Sequence, residues 1–274
     1  MPTASSGGTT IAYEVDGPDD GEVVVFVEGL GYGRWMWRWQ RRALDDEYRL
    51  LLPDNRGTGD SDAPPGPYTI PELAADLEAV LADAGVDEAH VVGASMGGMI
   101  AQTYALEYDR AATVSLLCTS PGGPDAEPVP EETQQRLVAA PDDADERETI
   151  RYRMEPAVSD GFFAENPDLV ERIVDWRVES DADEPSRAAQ AAAVEAFDES
   201  DRIGDLGVPA HVLHGTDDRV VPVENGELLA ERLPDASLAL CEGGSHLFFV
   251  EESAWVNDRL REFLSRHPIG GGSP

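Results

Sequence analysis

The chain has 274 residues, of which 55 are acidic and 20 basic, so its formal net charge is −35 at pH 7. Every basic residue is an arginine, since the sequence contains no lysine. This charge excludes a general affinity for nucleic acid, which proteins hold mainly by neutralising phosphates. A hydrophobic fraction of 41% is enough for one domain with a substantial core.

The acidic residues are spread along the whole chain, which argues against a local docking surface for a basic partner. Self-repulsion of this size destabilises a compact state in dilute buffer, whereas 1 M salt shortens the Debye length to about 3 Å. We therefore expect a protein of a high-salt, halophilic cytoplasm. The sequence shows neither a signal peptide nor a run apolar enough to span a membrane, which also favours the cytoplasm.

Strand-length hydrophobic runs alternate with helical patterns over most of the chain. The predicted strands cover 9–15, 22–27, 49–53, 89–92, 113–118, 210–214 and 237–241. The main helices are predicted at 70–84, 96–108, 224–233 and 251–265. This alternation predicts an α/β fold with a mostly parallel sheet covered on both faces. Ligands of such sheets bind at the carboxyl ends of the strands.

The segment around Ser95 is the most informative part of the sequence. The strand at 89–92 enters 93–98 (GASMGG), and a helical pattern leaves it. In a nucleophile elbow, a serine at such a turn adopts strained backbone angles, and flanking glycines let strand and helix pack closely. The turn presents the Ser95 hydroxyl and points the Met96 N–H at an oxyanion formed on an attacked carbonyl. Ser95 is therefore the predicted nucleophile.

Between residues 120 and 203 the alternation of strands and helices stops. Prolines and acidic residues interrupt helical segments predicted at 131–139, 146–154, 168–179 and 185–197. An insertion between two core strands, at the catalytic end of the sheet, is expected to be a helical lid. The predicted domains are a core of 1–120 and 204–268, a lid or cap insertion of 121–203, and a flexible tail of 269–274.

Aromatic residues are the candidates for lining a substrate pocket. Phe162, Phe163 and Trp176 lie in the insertion, where packing within the lid explains each of them as well. The tryptophans at alternating positions from Trp35 onward cannot all share one helix face, so at least one is expected at the pocket mouth. Trp35 is the candidate beside the loop that follows the strand at 22–27.

The predicted nucleophile needs a base, and the base needs a group that orients it. On an elbow of this type the three follow in the order Ser, acid, His. Of the five histidines, His90, His211 and His214 come too early for an acid to precede them. His267 lies beside the terminal tail, where nothing would hold it. His246, on a loop between a predicted strand and a predicted helix, is therefore the predicted base.

The acid has two adjacent candidates, Asp217 and Asp218, in the turn after the strand at 210–214. Either carboxylate could orient an imidazole from this loop. The other would then be a solvated turn residue or a partner of Arg219. The residues alone leave both alternatives open.

Taken together, these motifs make the chain resemble the α/β-hydrolase superfamily over most of its length. The segment 54–62 (DNRGTGDSD) is similar to the Asp-x-Arg-Gly-x-Gly-x-Ser loop of that superfamily. The resemblance implies the α/β-hydrolase fold, with Ser95 as nucleophile, His246 as base and Asp218, in a Gly-x-x-Asp turn, as the acid. Within the superfamily the chain is most similar to the group of 3-oxoadipate enol-lactonases and aclacinomycin methylesterases.

The resemblance also reveals a departure at position 28. After this strand the superfamily usually has His-Gly and then a residue whose backbone N–H completes an oxyanion hole, whereas this chain has Glu28, Gly29 and Leu30. Because that donor is a backbone group, Leu30 is expected to supply it together with Met96. A carboxylate near an oxyanion is unfavourable at low dielectric constant. Glu28 is thus expected to be hydrogen-bonded within its loop or protonated, with a direct role in the pocket as the alternative.

The sequence predicts a serine hydrolase that cleaves a carboxylic ester or lactone through an acyl-enzyme. The alternatives are a carbon–carbon bond hydrolase, a cofactor-free perhydrolase or haloperoxidase on the same triad, and a non-catalytic ligand-binding receptor. No metal or organic cofactor is implied, because the histidines lack ligand spacing and no glycine-rich dinucleotide motif is present. A small-molecule substrate is the one partner expected, and Cys118 and Cys241 are expected to be buried free thiols.

The charge leads to a prediction about salt. As KCl falls from molar concentrations to 0.1 M, the Debye length grows to about 10 Å, so the protein should unfold more easily. Replacing several acidic residues of 127–132 and 142–148 by lysine should lower this salt requirement. Thermal melts over a KCl series measure both effects, and a melting temperature that does not change between 0.1 and 3 M KCl would contradict the prediction.

Overall fold

Eight strands form a single sheet in a computed structural model of the chain that describes residues 1–270. The strands are β1 (Thr3–Ser6), β2 (Thr9–Asp16), β3 (Val23–Val27), β4 (Arg49–Pro53), β5 (Ala89–Ala94), β6 (Ala111–Leu117), β7 (Ala210–Gly215) and β8 (Ala236–Cys241). Their order is β1-β2-β4-β3-β5-β6-β7-β8. The pairs β1–β2 and β2–β4 are antiparallel, and all the others are parallel.

Helices connect the strands and cover the sheet. They are α1 (Arg38–Leu44), α2 (Ile70–Asp83), α3 (Met96–Glu107), α4 (Glu131–Val138), α5 (Glu146–Met154), α6 (Phe162–Glu165), α7 (Pro167–Ser180), α8 (Glu184–Glu195), α9 (Val223–Arg232), α10 (Phe248–Glu251) and α11 (Ser253–Arg266). Short 3-10 segments occupy Arg34–Trp37, Glu155–Ala157 and Ile203–Asp205. The predicted α/β fold with a mostly parallel sheet is therefore confirmed.

The hydrophobic core lies on both faces of the sheet, as β3 illustrates. All five residues of β3 are buried, which is typical of a strand covered on both sides. Successive side chains of a strand point to opposite faces. Val25 accordingly packs in the cluster that includes α2 and α3, and Phe26 packs in the cluster that includes α1 and α11.

All seven predicted strands are present, with bounds that differ by no more than two residues. The prediction missed β1, because its sequence TASS is short and has no strand-like hydrophobic run. Antiparallel pairing with β2 and burial of Ala4 hold this edge strand in place. Cys118 and Cys241 are both free and buried, as predicted. The expectation that nothing holds His267 was wrong, since its ring packs against Phe263 with centroids 4.7 Å apart.

The insertion between β6 and β7 contains helices α4 to α8 and closes against the loop after β3. On α8, Gln190 accepts a hydrogen bond from the Gly31 N–H (2.7 Å) and donates one to the Arg56 carbonyl (2.9 Å). On α7, Trp176 stacks on Trp35, with ring centroids 6.2 Å apart. These contacts hold the insertion against the loops that follow β3 and β4.

A lid role for 121–203 stays a prediction. The predicted flexible tail, 269–274, falls mainly on 271–274, outside the described residues. Within 1–270 no helix has the length and apolar character needed to cross a membrane.

Candidate active site

Ser95 lies at the turn from β5 into α3, in a backbone conformation that L-residues rarely adopt. Its φ is 55° and its ψ is −119°. A non-glycine residue in such a conformation costs on the order of 1–3 kcal/mol and persists only where the surroundings hold it. Here the Ser95 N–H donates to the Leu117 carbonyl (2.9 Å), and the Ser95 carbonyl accepts from Thr119 Oγ1 (2.7 Å). The turn is therefore held in place by β6 and by the residues that follow it.

Glycines on both sides of Ser95 allow this turn to form. A β-carbon at Gly93 would lie 2.1 Å from the Gly97 carbonyl oxygen, and one at Gly97 would lie 2.1 Å from the Val27 carbonyl oxygen. No other residue fits these distances without moving the backbone. The sequence thus brings β5, α3 and the end of β3 into direct backbone contact at the serine, as the elbow pattern predicts.

The loop after β3 contains one backbone N–H that is not used internally. Among residues 29–33, the other four N–H groups donate hydrogen bonds: Gly29 to Met36 Sδ (3.4 Å), Gly31 to Gln190 Oε1 (2.7 Å), Tyr32 to the Gly29 carbonyl (3.2 Å) and Gly33 to Asp181 Oδ1 (3.2 Å). Within the described chain the Leu30 N–H has no acceptor. Met96, the first residue of α3, presents a second N–H at a helix N-terminus. Both predicted oxyanion donors thus remain available.

Asp218 and His246 form a buried pair at the carboxyl ends of β7 and β8. Asp218 Oδ2 lies 2.8 Å from His246 Nδ1, and Asp218 Oδ1 accepts from the backbone N–H groups of Val220 (2.8 Å) and Val221 (2.9 Å). Burial by itself would raise the pKa of Asp218, but the neighbouring histidines lower it to about 2. Asp217, the other candidate, is exposed, and within residues 1–270 the hydrogen bond and ion pair of His246 are made with Asp218 instead. The structure brings Asp218 to the imidazole.

His214 is a second histidine close to the Asp218 carboxylate. From the sequence, His214 was considered only as a possible base, and this contact was not predicted. Its Nε2 lies 2.8 Å from the Val221 carbonyl and 3.4 Å from Asp218 Oδ2. Because the carbonyl requires a donor, the proton of His214 is on Nε2. A histidine four residues before the acid, at the end of a buried strand, is the sequence signal that could have indicated this contact.

Among the described residues no hydrogen bond joins Ser95 to His246. The Leu117 carbonyl, which accepts from Ser95, precedes Cys118. Ligand atoms of Cys118, Asp218 and His246 lie within 4.8 Å of one another. Burial and then the charge of Asp218 raise the pKa of the Cys118 thiol well above its ordinary value, which disfavours the thiolate that a metal would need. Nε2 of His246 is the ring nitrogen that remains for Ser95.

Glu28 is completely buried, and its carboxyl group contacts the loop after β4 rather than its own loop after β3. Its Oε2 accepts from the Asn55 N–H (3.1 Å), and its carbonyl accepts from the Asn55 side chain (3.1 Å). Burial raises the pKa of the Glu28 carboxyl well above its ordinary value, and the nearby Asp54 carboxylate raises it further. The expectation of a hydrogen bond within its own loop was wrong, because the partner, Asn55, lies after β4. The raised pKa favours the protonated side chain that was the other expectation.

The aromatic pocket candidates do not all surround Ser95. Trp35 and Trp176 line a surface groove of about 650 Å³ to which neither Ser95 nor His246 contributes. Trp35 also donates from Nε1 to Asp181 Oδ1 (2.8 Å). The rings of Phe162 and Phe163 pack edge to face, 6.4 Å apart, at the start of α6. These four residues therefore have packing roles that the structure accounts for.

Comparison with known proteins gives a family match over most of the chain. The family described as "alpha/beta hydrolase fold" matches residues 22–253. A putative carbamate hydrolase RutD of Azorhizobium caulinodans is 31% identical over 268 residues, covering 96% of this chain and 98% of that protein. The 3-oxoadipate enol-lactonase 2 of Acinetobacter baylyi is 26% identical, covering 96% of each chain.

A solved structure shows the same architecture. The enol-lactonase from Burkholderia xenovorans LB400 superposes with a TM-score of 0.85 at 28% sequence identity. The match covers 96% of this chain and all of that one.

The contrast between the two aspartates gives a test of the acid. Asp218→Asn should reduce kcat for ester turnover by on the order of 10⁴, because an amide in that position no longer stabilises the imidazolium or the required tautomer. Asp217→Asn, which makes the same replacement of a carboxylate by an amide at an exposed neighbour, should change kcat less than about threefold. Steady-state kinetics at fixed KCl measures both, and the reverse ranking would assign the role to Asp217.

Glu28 gives a prediction about pH. Because folding raises the pKa of Glu28, its stabilising contribution is complete below the ordinary glutamate pKa of about 4.3 and is lost as pH rises. Glu28→Gln keeps an acceptor for Asn55 without this penalty, so it should be more stable than the native chain above that pH, by up to about 1.4 kcal/mol per pH unit.

Thermal melts between pH 4 and 9 in 2 M KCl measure this difference. Glu132→Gln, which removes an exposed carboxylate from α4, controls for the general loss of one negative charge. Equal pH profiles for the two variants would mean that Glu28 is ionised in the folded protein.

Proposed function

The chain belongs to the α/β-hydrolase superfamily and resembles 3-oxoadipate enol-lactonase, which makes it a hydrolase. We propose that it cleaves a carboxylic ester or lactone through Ser95, His246 and Asp218. The single observation that carries the proposal is the buried Asp218–His246 hydrogen bond, which occupies Nδ1. That bond leaves Nε2 to take the proton of Ser95. A histidine held in this way acts as a general base.

The proposed reaction has two steps. Ser95 Oγ attacks the carbonyl carbon while His246 Nε2 removes its proton, and the N–H groups of Leu30 and Met96 stabilise the oxyanion. When the tetrahedral intermediate collapses, the alkoxide leaves with the proton from His246 and an acyl-serine remains. Water, deprotonated by His246, then attacks the acyl-serine and releases the acid.

Asp218 supports both steps through its position. Its carboxylate is fixed by two backbone N–H groups and stabilises the imidazolium that forms each time His246 accepts a proton. The low pKa of Asp218 keeps its carboxylate ionised at neutral pH.

The proposed substrate class follows from what the relatives are named for. A lactone and a carbamate both have a carbonyl carbon bonded to a heteroatom, and hydrolysis breaks that bond. Cleavage of such a substrate needs only a nucleophile, a general base and an oxyanion hole, which Ser95, His246 and the two backbone N–H groups would supply. Because the relative at 31% identity carries the name of a carbamate hydrolase, carbamates are the second candidate class. Assays with lactones, methyl esters and carbamates at equal concentration in 2 M KCl rank the classes.

The proposed nucleophile and base have direct tests. Ser95→Ala and His246→Ala should each lower ester turnover by at least about 10⁴, and the double variant should be scarcely worse than either, because the residues act as a unit. The native chain should react with a fluorophosphonate probe at Ser95, with the site read by mass spectrometry.

Matched controls are Ser265→Ala and His267→Ala, which change the same residue types on α11 and just after it. Both should keep full turnover. Ester hydrolysis that survives in a folded Ser95→Ala protein would overturn the proposal, as would probe attachment to another serine.

A further inference from the structure

Segment 155–160, which lies between α5 and α6 in the insertion, packs against the loop of the proposed base. Ala157 and Val158 are buried and belong to the same hydrophobic cluster as Leu247, the residue that follows His246. The Leu247 N–H also donates a hydrogen bond to the Ala157 carbonyl (2.8 Å). This short segment is therefore part of the core around the base, although it belongs to the insertion.

Glu251, the last residue of α10, links this segment to the residue that precedes His246. Ser245 Oγ donates to Glu251 Oε1 (2.5 Å). The Ser159 N–H lies 3.1 Å and 3.3 Å from the two carboxylate oxygens, and the Ser159 hydroxyl donates to Oε2. Hydrogen bonds to an ionised carboxylate are roughly twice as strong as those between neutral groups. His246 is thus tied to the insertion on both sides along the chain.

Arg219 links the same segment to the loop of the acid, since it follows Asp218 directly. Its Nη2 donates to the carbonyls of Glu155 (3.0 Å) and Val158 (2.6 Å). Its Nη1 forms an ion pair with Asp160 (3.1 Å). The loops after β7 and β8, which carry the acid and the base, are therefore both fastened to one short stretch of the insertion.

The loop of His246 needs such anchors because its sequence is flexible. Gly243 and Gly244 lie in it, and Gly243 has a φ of 71°. A general base must lie within hydrogen-bond reach of the hydroxyl that it deprotonates, and an error of about 1 Å can cost on the order of 10²-fold in rate. The hydrogen bond to Asp218 orients the ring. The anchors of the loop determine where Nε2 lies relative to Ser95.

We propose that Glu251 is a positioning residue that holds the loop of His246 against segment 155–160. The insertion then sets where the imidazole meets the hydroxyl of Ser95. The inference rests on the proposed function. In the described part of the chain, the side chain of Glu251 forms hydrogen bonds with the two serines and with no residue of the triad. It therefore acts through the base, and its loss should lower kcat and leave substrate affinity nearly unchanged.

Replacing Glu251 tests this role in 2 M KCl, well below the melting temperature of each variant. Glu251→Ala should lower kcat for 4-nitrophenyl acetate by roughly 10–100-fold, because a displaced base slows both proposed steps, and should change KM less than about threefold. Labelling of Ser95 by a fluorophosphonate should slow in parallel. Glu251→Gln keeps one acceptor oxygen and should fall between the native chain and Glu251→Ala. Glu252→Ala, which removes the exposed neighbouring carboxylate, is the matched control and should keep the native kcat.

Two results would contradict the role of Glu251. A lower melting temperature with an unchanged kcat would mean that Glu251 only stabilises the fold, and would overturn the proposal. An equal loss of kcat in Glu252→Ala would overturn it as well.

The two serines that donate to Glu251 give milder variants, which keep the test decisive if Glu251→Ala does not fold. Ser159→Ala and Ser245→Ala should each lower kcat by roughly 3–10-fold. Neither should lower it much further in a Glu251→Ala background, because all three residues belong to one network. Ser200→Ala is the control, since Ser200 also donates to a carboxylate of the insertion, that of Asp198 (2.6 Å). Losses that simply multiply, or an equal loss in Ser200→Ala, overturn the proposal.

Hydrogen exchange keeps this result separate from the hydrolase proposal, because it needs no turnover. Peptides that span 243–250 contain the Leu247 N–H, which is bonded to the insertion. Their exchange, followed by mass spectrometry, should be at least about 10-fold faster in Glu251→Ala than in the native chain or in Glu252→Ala. Unchanged exchange overturns the role of Glu251, whereas ester turnover that survives in Ser95→Ala overturns the proposed nucleophile.

Discussion

The hydrogen bond between Asp218 and His246 is the interaction on which the rest of the site depends. It puts an ionised carboxylate in the interior, which is tolerable only because two backbone N–H groups and two imidazoles surround the charge. In return the imidazole has one orientation and one tautomer. In the proposed reaction, Ser95 at its strained turn and the free Leu30 N–H act only together with that fixed ring. The ends of β7 and β8 therefore determine how the ends of β3 and β5 can function.

Much of the fold could be predicted because local pattern and global structure agree. Strands β2 to β8 each contain a hydrophobic run of strand length, so these seven could be predicted from the sequence, whereas the short polar β1 could not. Ser95 and His246 could be named because an elbow has a recognisable sequence and few histidines were available. Asp217 and Asp218 follow the same strand and differ only in burial, which depends on the turn that tertiary packing selects.

The contacts that could not be predicted join residues far apart in the chain. Gln190 meets Gly31 across more than 150 positions, and no local pattern specifies which face of α8 points inward. The same is true of Glu28, whose raised pKa depends on burial and on the nearby Asp54 rather than on its own neighbours in sequence. Sequence could indicate that position 28 departs from its family, but only the surroundings show how the departure is accommodated.

The hydrogen bond from Gly31 to Gln190 links two parts of the molecule thermodynamically. If α8 moves away from the core, the Gly31 N–H loses its acceptor, the Arg56 carbonyl loses its donor, and the loop that carries Leu30 is released from one of its anchors. Any ligand that favours the seated position of α8 therefore also favours an ordered Leu30 amide, and the reverse holds by reciprocity. The position of α8 and the order of the Leu30 amide are in this way parts of one equilibrium.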